Sequence, residues 1–194
     1  MATKKPRTVL YRRKREKKTN YSKRLKLILS GKERVVLRFT NQKIIVQLVK
    51  FEAKGDKILL GADSFALKKW GWSYSCKNLP AAYLTGLMFG KEALKKGHDN
   101  EVVLDTGFKN PLHKSKAYAL LKGLLDSGLQ VPSGDEKIFP TEGRLKGNHI
   151  KEHAIKIKDN KEDYNLKFAQ YLKSNMEPEK IVDQFELVKN KINA

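Results

Sequence analysis

The stretch Tyr11-Arg12-Arg13-Lys14-Arg15-Glu16-Lys17-Lys18-Thr19-Asn20-Tyr21-Ser22-Lys23-Arg24 sets the first limit on how this chain can fold. From Met1 to Arg34, fourteen Lys and Arg stand against two acids, Glu16 and Glu33, so this segment supplies +12 of the net +20. Charges packed so densely repel one another, and the segment makes sense only beside a polyanion. The rest of the charge is graded. Residues 35–150 hold eighteen basic and eleven acidic residues, and residues 151–194 hold nine and eight. The N-terminal end therefore faces the anion, and the C-terminal end faces something else or solvent.

Three readings compete for the basic segment. A solvated tail or localisation signal explains most lysine-rich runs. A membrane-surface helix needs a broad apolar face, and between Tyr11 and Arg24 there is none; Leu25, Leu27, Ile28 and Leu29 follow only afterwards. Nucleic acid fits best. Arginine pairs bidentately with phosphate, and its plane, like the rings of Tyr11 and Tyr21, stacks on unpaired bases, a mixture that favours RNA. Candidate RNA contacts are Arg7, Tyr11, Arg12, Arg13, Lys14, Arg15, Lys17, Lys18, Thr19, Tyr21, Lys23 and Arg24. Asn20-Tyr21-Ser22 can cap a short helix that closes near Gly31 and ties the arm to the fold. The arm alone is expected to be disordered and to order on RNA.

At 194 residues and 40% hydrophobic, the chain can bury one main core. No apolar run approaches the roughly 18 residues of a membrane span, so a soluble, intracellular protein without a membrane partner is expected. Cys76 stands alone and is expected to be a buried thiol; no cysteine and histidine pattern suggests a structural zinc.

The core reads as α/β. Arg34 to Phe39, Lys43 to Phe51 and Lys57 to Ala62 are β-rich runs separated by turn residues, which predicts a three-stranded antiparallel meander. The second run is apolar on both alternating sets at its start and predicts a strand covered on both faces. Asn78-Leu79-Pro80 opens a helix that Lys95-Lys96-Gly97 closes, with Tyr83, Leu84, Leu87, Met88 and Leu94 as its apolar stripe. Strand Glu101 to Asp105 and a helix from about Ser115 to Ser127 complete a layered mixed sheet with helices. Trp70-Gly71-Trp72 offers either a base-stacking platform or a packing plug, and both Trp70 and Trp72 remain candidate RNA contacts. The expected organisation is an arm and short helix over 1–33, a core over 34–130, and a loop with a C-terminal helical extension over 131–194.

Two stretches imitate catalysis. His149-Ile150-Lys151-Glu152-His153 fits the spacing of a zinc peptidase, and a zinc-dependent hydrolase is the alternative reading. Its cationic neighbours Arg144 and Lys146 disfavour Zn²⁺, and the plain reading is an amphipathic helix. Gly86-Leu87-Met88-Phe89-Gly90-Lys91-Glu92 is one residue short of a P-loop and has Glu where the Mg²⁺-binding hydroxyl belongs, so its glycines are expected to permit close helix-to-sheet packing. No enzyme, cofactor or metal is expected. A general nucleic-acid-binding protein is the other alternative.

Arg144, Lys146, His149 and Lys151 form a smaller basic patch, a second RNA contact or a solvated face. Beyond Lys158, helices are expected from Asn160 or Lys161 to Lys173 and from Pro178 to Ile192, the last with Ile181, Val182, Phe185, Val188 and Ile192 recurring at helical spacing. They pack on the core or on a partner.

The arm from Tyr11 to Leu25, Lys69-Trp70-Gly71-Trp72, Asn78-Leu79-Pro80-Ala81-Ala82-Tyr83-Leu84-Thr85-Gly86 and Gly143-Arg144-Leu145-Lys146-Gly147-Asn148-His149-Ile150 occur in an order that resembles one family. It is the large-subunit ribosomal protein that binds 5S rRNA, number eighteen in the bacterial scheme, in its archaeal and eukaryotic form. The modest length resembles the archaeal form more. The resemblance implies an α/β domain of the translational-component type in the central protuberance of the cytoplasmic ribosome. There the arm grips 5S rRNA, and other surfaces touch the large rRNA and neighbouring ribosomal proteins. Asn148 departs from the family, where an acid is usual.

Overall fold

The computed structural model describes residues 9–194, so Arg7 lies outside the described residues. Strands β1 (Glu33–Phe39), β2 (Ile44–Lys50) and β3 (Lys57–Asp63) form the expected antiparallel meander. Strand β4 (Val102–Asp105) pairs parallel with β1 and gives the order β3-β2-β1-β4. A parallel neighbour needs a crossover, and helix α3 (Leu79–Lys95) makes it.

Alternation along the strands sends Val35, Leu37, Ile44, Val46, Leu48, Leu60 and Val102 to one buried face. The opposite face carries Arg34, Val36 and Arg38 of β1. Arg34 and Val36 are buried as well, so the strand covered on both faces is β1, whereas Ile45 and Gln47 of β2 stay half-buried. The second cover is the root of the arm, which lies over β1 and β4.

Helix α3 starts where its sequence can cap it: the Asn78 side chain accepts from Ala81 N at 2.9 Å, and Pro80 sits in the first turn. Every residue from Leu79 to Gly90 is buried, far more than one stripe. Helix α4 (Lys116–Asp126) is the reason. A Cβ on Gly86 would lie 2.2 Å from the Leu120 carbonyl oxygen, and one on Gly123 would lie 2.2 Å from that of Tyr83. These glycines bring two helix backbones together, so the close contact is helix to helix and not the helix-to-sheet contact expected.

The C-terminal part contains α5 (Glu142–Lys146), α6 (Asn148–Ile157), α7 (Lys161–Lys173) and, after a 3₁₀ turn at Pro178–Lys180, α8 (Ile181–Asn193). Ile181, Phe185, Val188 and Ile192 of α8 are buried in the main core, with the Phe185 ring 5.6 Å from that of Tyr83. The last helix thus packs on the core. In α7 only Phe168 is buried. Cys76 is a buried free thiol, as expected. Among the described residues no helix is long and apolar enough to cross a membrane.

Candidate nucleic-acid interface

The described arm begins with a single helical turn, α1 (Arg12–Arg15), and continues into α2 (Tyr21–Leu29). Local bonds fold it back on itself where disorder was expected. Arg13 Nε donates to Thr19 Oγ1 at 2.8 Å, the Asn20 side chain accepts from Lys23 N at 3.1 Å, and the rings of Tyr11 and Tyr21 lie 5.9 Å apart. Thr19 therefore orients an arginine. All residues from Tyr11 to Lys18 are exposed, and Tyr11 keeps 77% of its surface free. Within this stretch Lys18 pairs with Glu16 at 2.7 Å, while the heads of Arg12, Lys14, Arg15 and Lys17 reach no acid among the described residues.

The root of the arm is held by a chain of ion pairs. Arg24 donates to both oxygens of Asp56 at 2.6 and 2.8 Å. Arg34, only 2% exposed, donates to Asp56 at 2.7 Å and to Asp105 at 3.0 Å. Partial burial alone would push the Asp56 carboxyl up, but hydrogen bonds from Arg24 and Arg34 outweigh it and hold that carboxyl below its ordinary range. The Asp56 hydrogen bond raises Arg24 in turn. Lys23 Nζ donates to Thr106 Oγ1 at 2.9 Å and to the Gly107 carbonyl at 3.4 Å. Lys23 and Arg24, both expected to touch RNA, fasten α2 to the sheet, where acids and carbonyls distant in sequence meet them in space.

Between arm and sheet lies a cleft of about 380 Å³, lined by Arg13, Lys18, Tyr21 and Lys23 from the arm and by Arg34 and Arg38 from β1. Arg38 is exposed, and the turn at Gly107, with φ +63°, comes close to its guanidinium: a Cβ there would be 3.2 Å from Nη1. Arg38 was not among the expected contacts. The signal was present: Arg34, Val36 and Arg38 alternate with apolar Val35 and Leu37, which places both arginines on the face away from the core.

Two other expected contacts fare differently. Trp72 is 1% exposed, donates Nε1–H to the Ser75 carbonyl at 3.2 Å and packs edge-on against Tyr74 at 5.6 Å. No ring face remains for a base, and Trp72 is the packing plug. Trp70 keeps 37% of its surface, but lines a groove that contains no arm residue.

The Arg144 patch is a structural corner. Gly147, with φ +99°, joins α5 to α6, and a Cβ there would press on Pro80 at 3.2 Å and Ile181 at 3.3 Å. Lys146 pairs with Glu186 at 2.8 Å. Burial, and then the charge of Arg144, depresses the pKa of His149, so its ring is neutral near pH 7 and offers phosphate no charge. Of the three expected contacts here, Arg144 is the one that is exposed and has no acid partner among the described residues. On the same helix the His153 ring lies 6.2 Å from that of Phe168, and no group of three or more His, Cys, Asp or Glu that could hold a metal occurs among the described residues.

A cationic arm riveted to one face of an α/β sheet, with the heads of Arg12, Lys14, Arg15 and Lys17 on no acid among the described residues, defines the class: a structural RNA-binding protein. Residues 6–102, which contain the arm, Arg38 and Asp56, match the family of ribosomal large subunit proteins 60S L5 and 50S L18. Over 185 residues the chain is 46% identical to the large ribosomal subunit protein uL18 of Methanosphaera stadtmanae, covering 95% of this chain and 94% of that protein. The chain belongs to this family, in its archaeal type, and is a structural constituent of the large subunit of the cytoplasmic ribosome.

Proposed function

We propose that the chain binds 5S rRNA through the arm and the arm–sheet cleft, and helps attach it to the large rRNA among neighbouring proteins of the central protuberance. Its role is binding, without catalysis. One observation carries the reading: Lys23 and Arg24 at the root of the arm are spent on Thr106 and Asp56, while Arg12, Lys14, Arg15 and Lys17 reach no acid among the described residues. That division holds the free cations at a fixed place over a surface to which Arg38 adds one more. Arginine and lysine neutralise phosphates and release counterions, and Tyr11 stacks or packs against an unpaired base.

The choice of 5S rRNA rests on the family resemblance of the arm, and competition filter binding tests it. 5S rRNA should outcompete equal lengths of unrelated RNA and of duplex DNA. If about six to ten phosphates are neutralised, affinity should fall by roughly 10³ to 10⁵ between about 50 and 200 mM salt. Binding indifferent to salt, or equal for all nucleic acids, would remove the proposal.

A further inference from the structure

The groove that contains Trp70 has no part in the RNA reading. It is lined by Gly61, Ala62 and Asp63 of β3, by Ile45 and Gln47 of β2 and by residues of α3, and β3 pairs with β2 on one side and with no strand on the other among the described residues. Its volume is about 630 Å³, and Ala62, Trp70, Met88 and Ile192 give it an apolar floor. Two acids line it, and both are occupied: Asp63 by Lys43 at 2.5 Å and Glu92 by Lys96 at 2.9 Å. Three lysines on the rim, Lys69, Lys91 and Lys95, face no acid among the described residues; Lys91 spends one hydrogen bond on the Ile192 carbonyl at 3.0 Å.

An open strand edge, an apolar floor and an uncompensated cationic rim specify one kind of occupant. We infer that this groove docks an extended segment of another protein, alternating acidic and apolar residues, which adds to β3 as a fifth strand. A free edge presents carbonyl acceptors and N–H donors in alternation, which a peptide backbone satisfies one for one. RNA fits less well, because the same carbonyls repel phosphate and the groove contains no arginine to fork onto it. Apolar side chains of the added strand fall on Met88 and Ile192, and the lysines of the rim attract its carboxylates. The groove shares no lining residue with the arm–sheet cleft, so peptide and RNA bind together. The inference does not depend on 5S rRNA being the nucleic acid.

Fluorescence of the full chain tests it directly, since Trp70 is half-exposed in the groove and Trp72 is buried. The probe is a synthetic eight-residue peptide of alternating Glu and Val. It should shift the emission saturably, the shift should vanish in Trp70→Phe, and 5S rRNA should not displace the peptide. Lys69→Gln combined with Lys95→Gln alters only exposed side chains and should weaken the peptide about fivefold, two surface pairs of roughly equal worth. Equal binding of a peptide N-methylated at alternate residues would overturn strand addition. Displacement of the peptide by a short single-stranded RNA would assign the groove to RNA instead, and failure of the Glu-Val peptide to bind at millimolar concentration would overturn the docking site itself.

Discussion

Replacing Asp56 by Asn separates the clamp from simple charge. In the structure Asp56 receives three hydrogen bonds, two from Arg24 and one from Arg34. The Arg24 pair is part-exposed, with side-chain values of 30% and 25%, and such pairs are worth about 1 kcal/mol at most. Arg34 is different. Stripping a buried ion of its partner costs about 3–5 kcal/mol, and with Asp105 still in place roughly half of that applies. The Arg34 share falls on the contact between β1 and the β2–β3 turn, so only the Arg24 pair, about 1 kcal/mol, bears on the docking of α2. On Coulomb grounds alone, removing a negative charge beside an RNA site should help: at about 10 Å in water the gain is roughly 0.4 kcal/mol, or about twofold. The clamp predicts the opposite sign. An undocked α2 reduces the fraction of molecules ready to bind, so 5S rRNA affinity should drop by up to about fivefold at constant salt. Filter binding measures the affinity, and amide hydrogen exchange across residues 21–29 measures the docking. Asp56→Asn with unchanged or tighter RNA binding, or with unchanged exchange in α2, would refute this account.

Gly86→Ala and Gly123→Ala should each destabilise the chain by about 1–3 kcal/mol in urea unfolding, because each new methyl meets a backbone oxygen at 2.2 Å. The double variant should cost less than the sum, since the first methyl already forces α3 and α4 apart. Trp72→Ala should cost about 3–5 kcal/mol, and Trp70→Ala within about 0.5 kcal/mol, although only one residue separates them. His149 should titrate below its ordinary value of 6.5 in an NMR pH series. Its folded pKa lies under its unfolded one, so its contribution is fully present above the unfolded value and is lost as pH falls through the folded one; His149→Gln should flatten that slope.

Local chemistry made much of this fold legible. The meander followed from alternation and from Thr40-Asn41-Gln42 and Lys54-Gly55-Asp56, and α3 from Asn78 and Pro80. Those signals act within a few residues, where chain geometry leaves few choices. The candidate site was legible only as a region. Lys23 and Arg24 read like their neighbours in the arm, yet they serve as anchors, and Arg38 read like an ordinary strand residue. Trp70 and Trp72 share one motif and differ completely in exposure.

The sequence by itself determined that the chain has a self-repelling basic end, an α/β core and the motif order of its family, since net charge, periodicity and capping are properties of neighbouring residues. Only the tertiary structure decided which cations are spent and which are free. That depends on where Asp56, Asp105 and Glu186 come to lie, and Coulomb interaction follows distance through space, not along the chain.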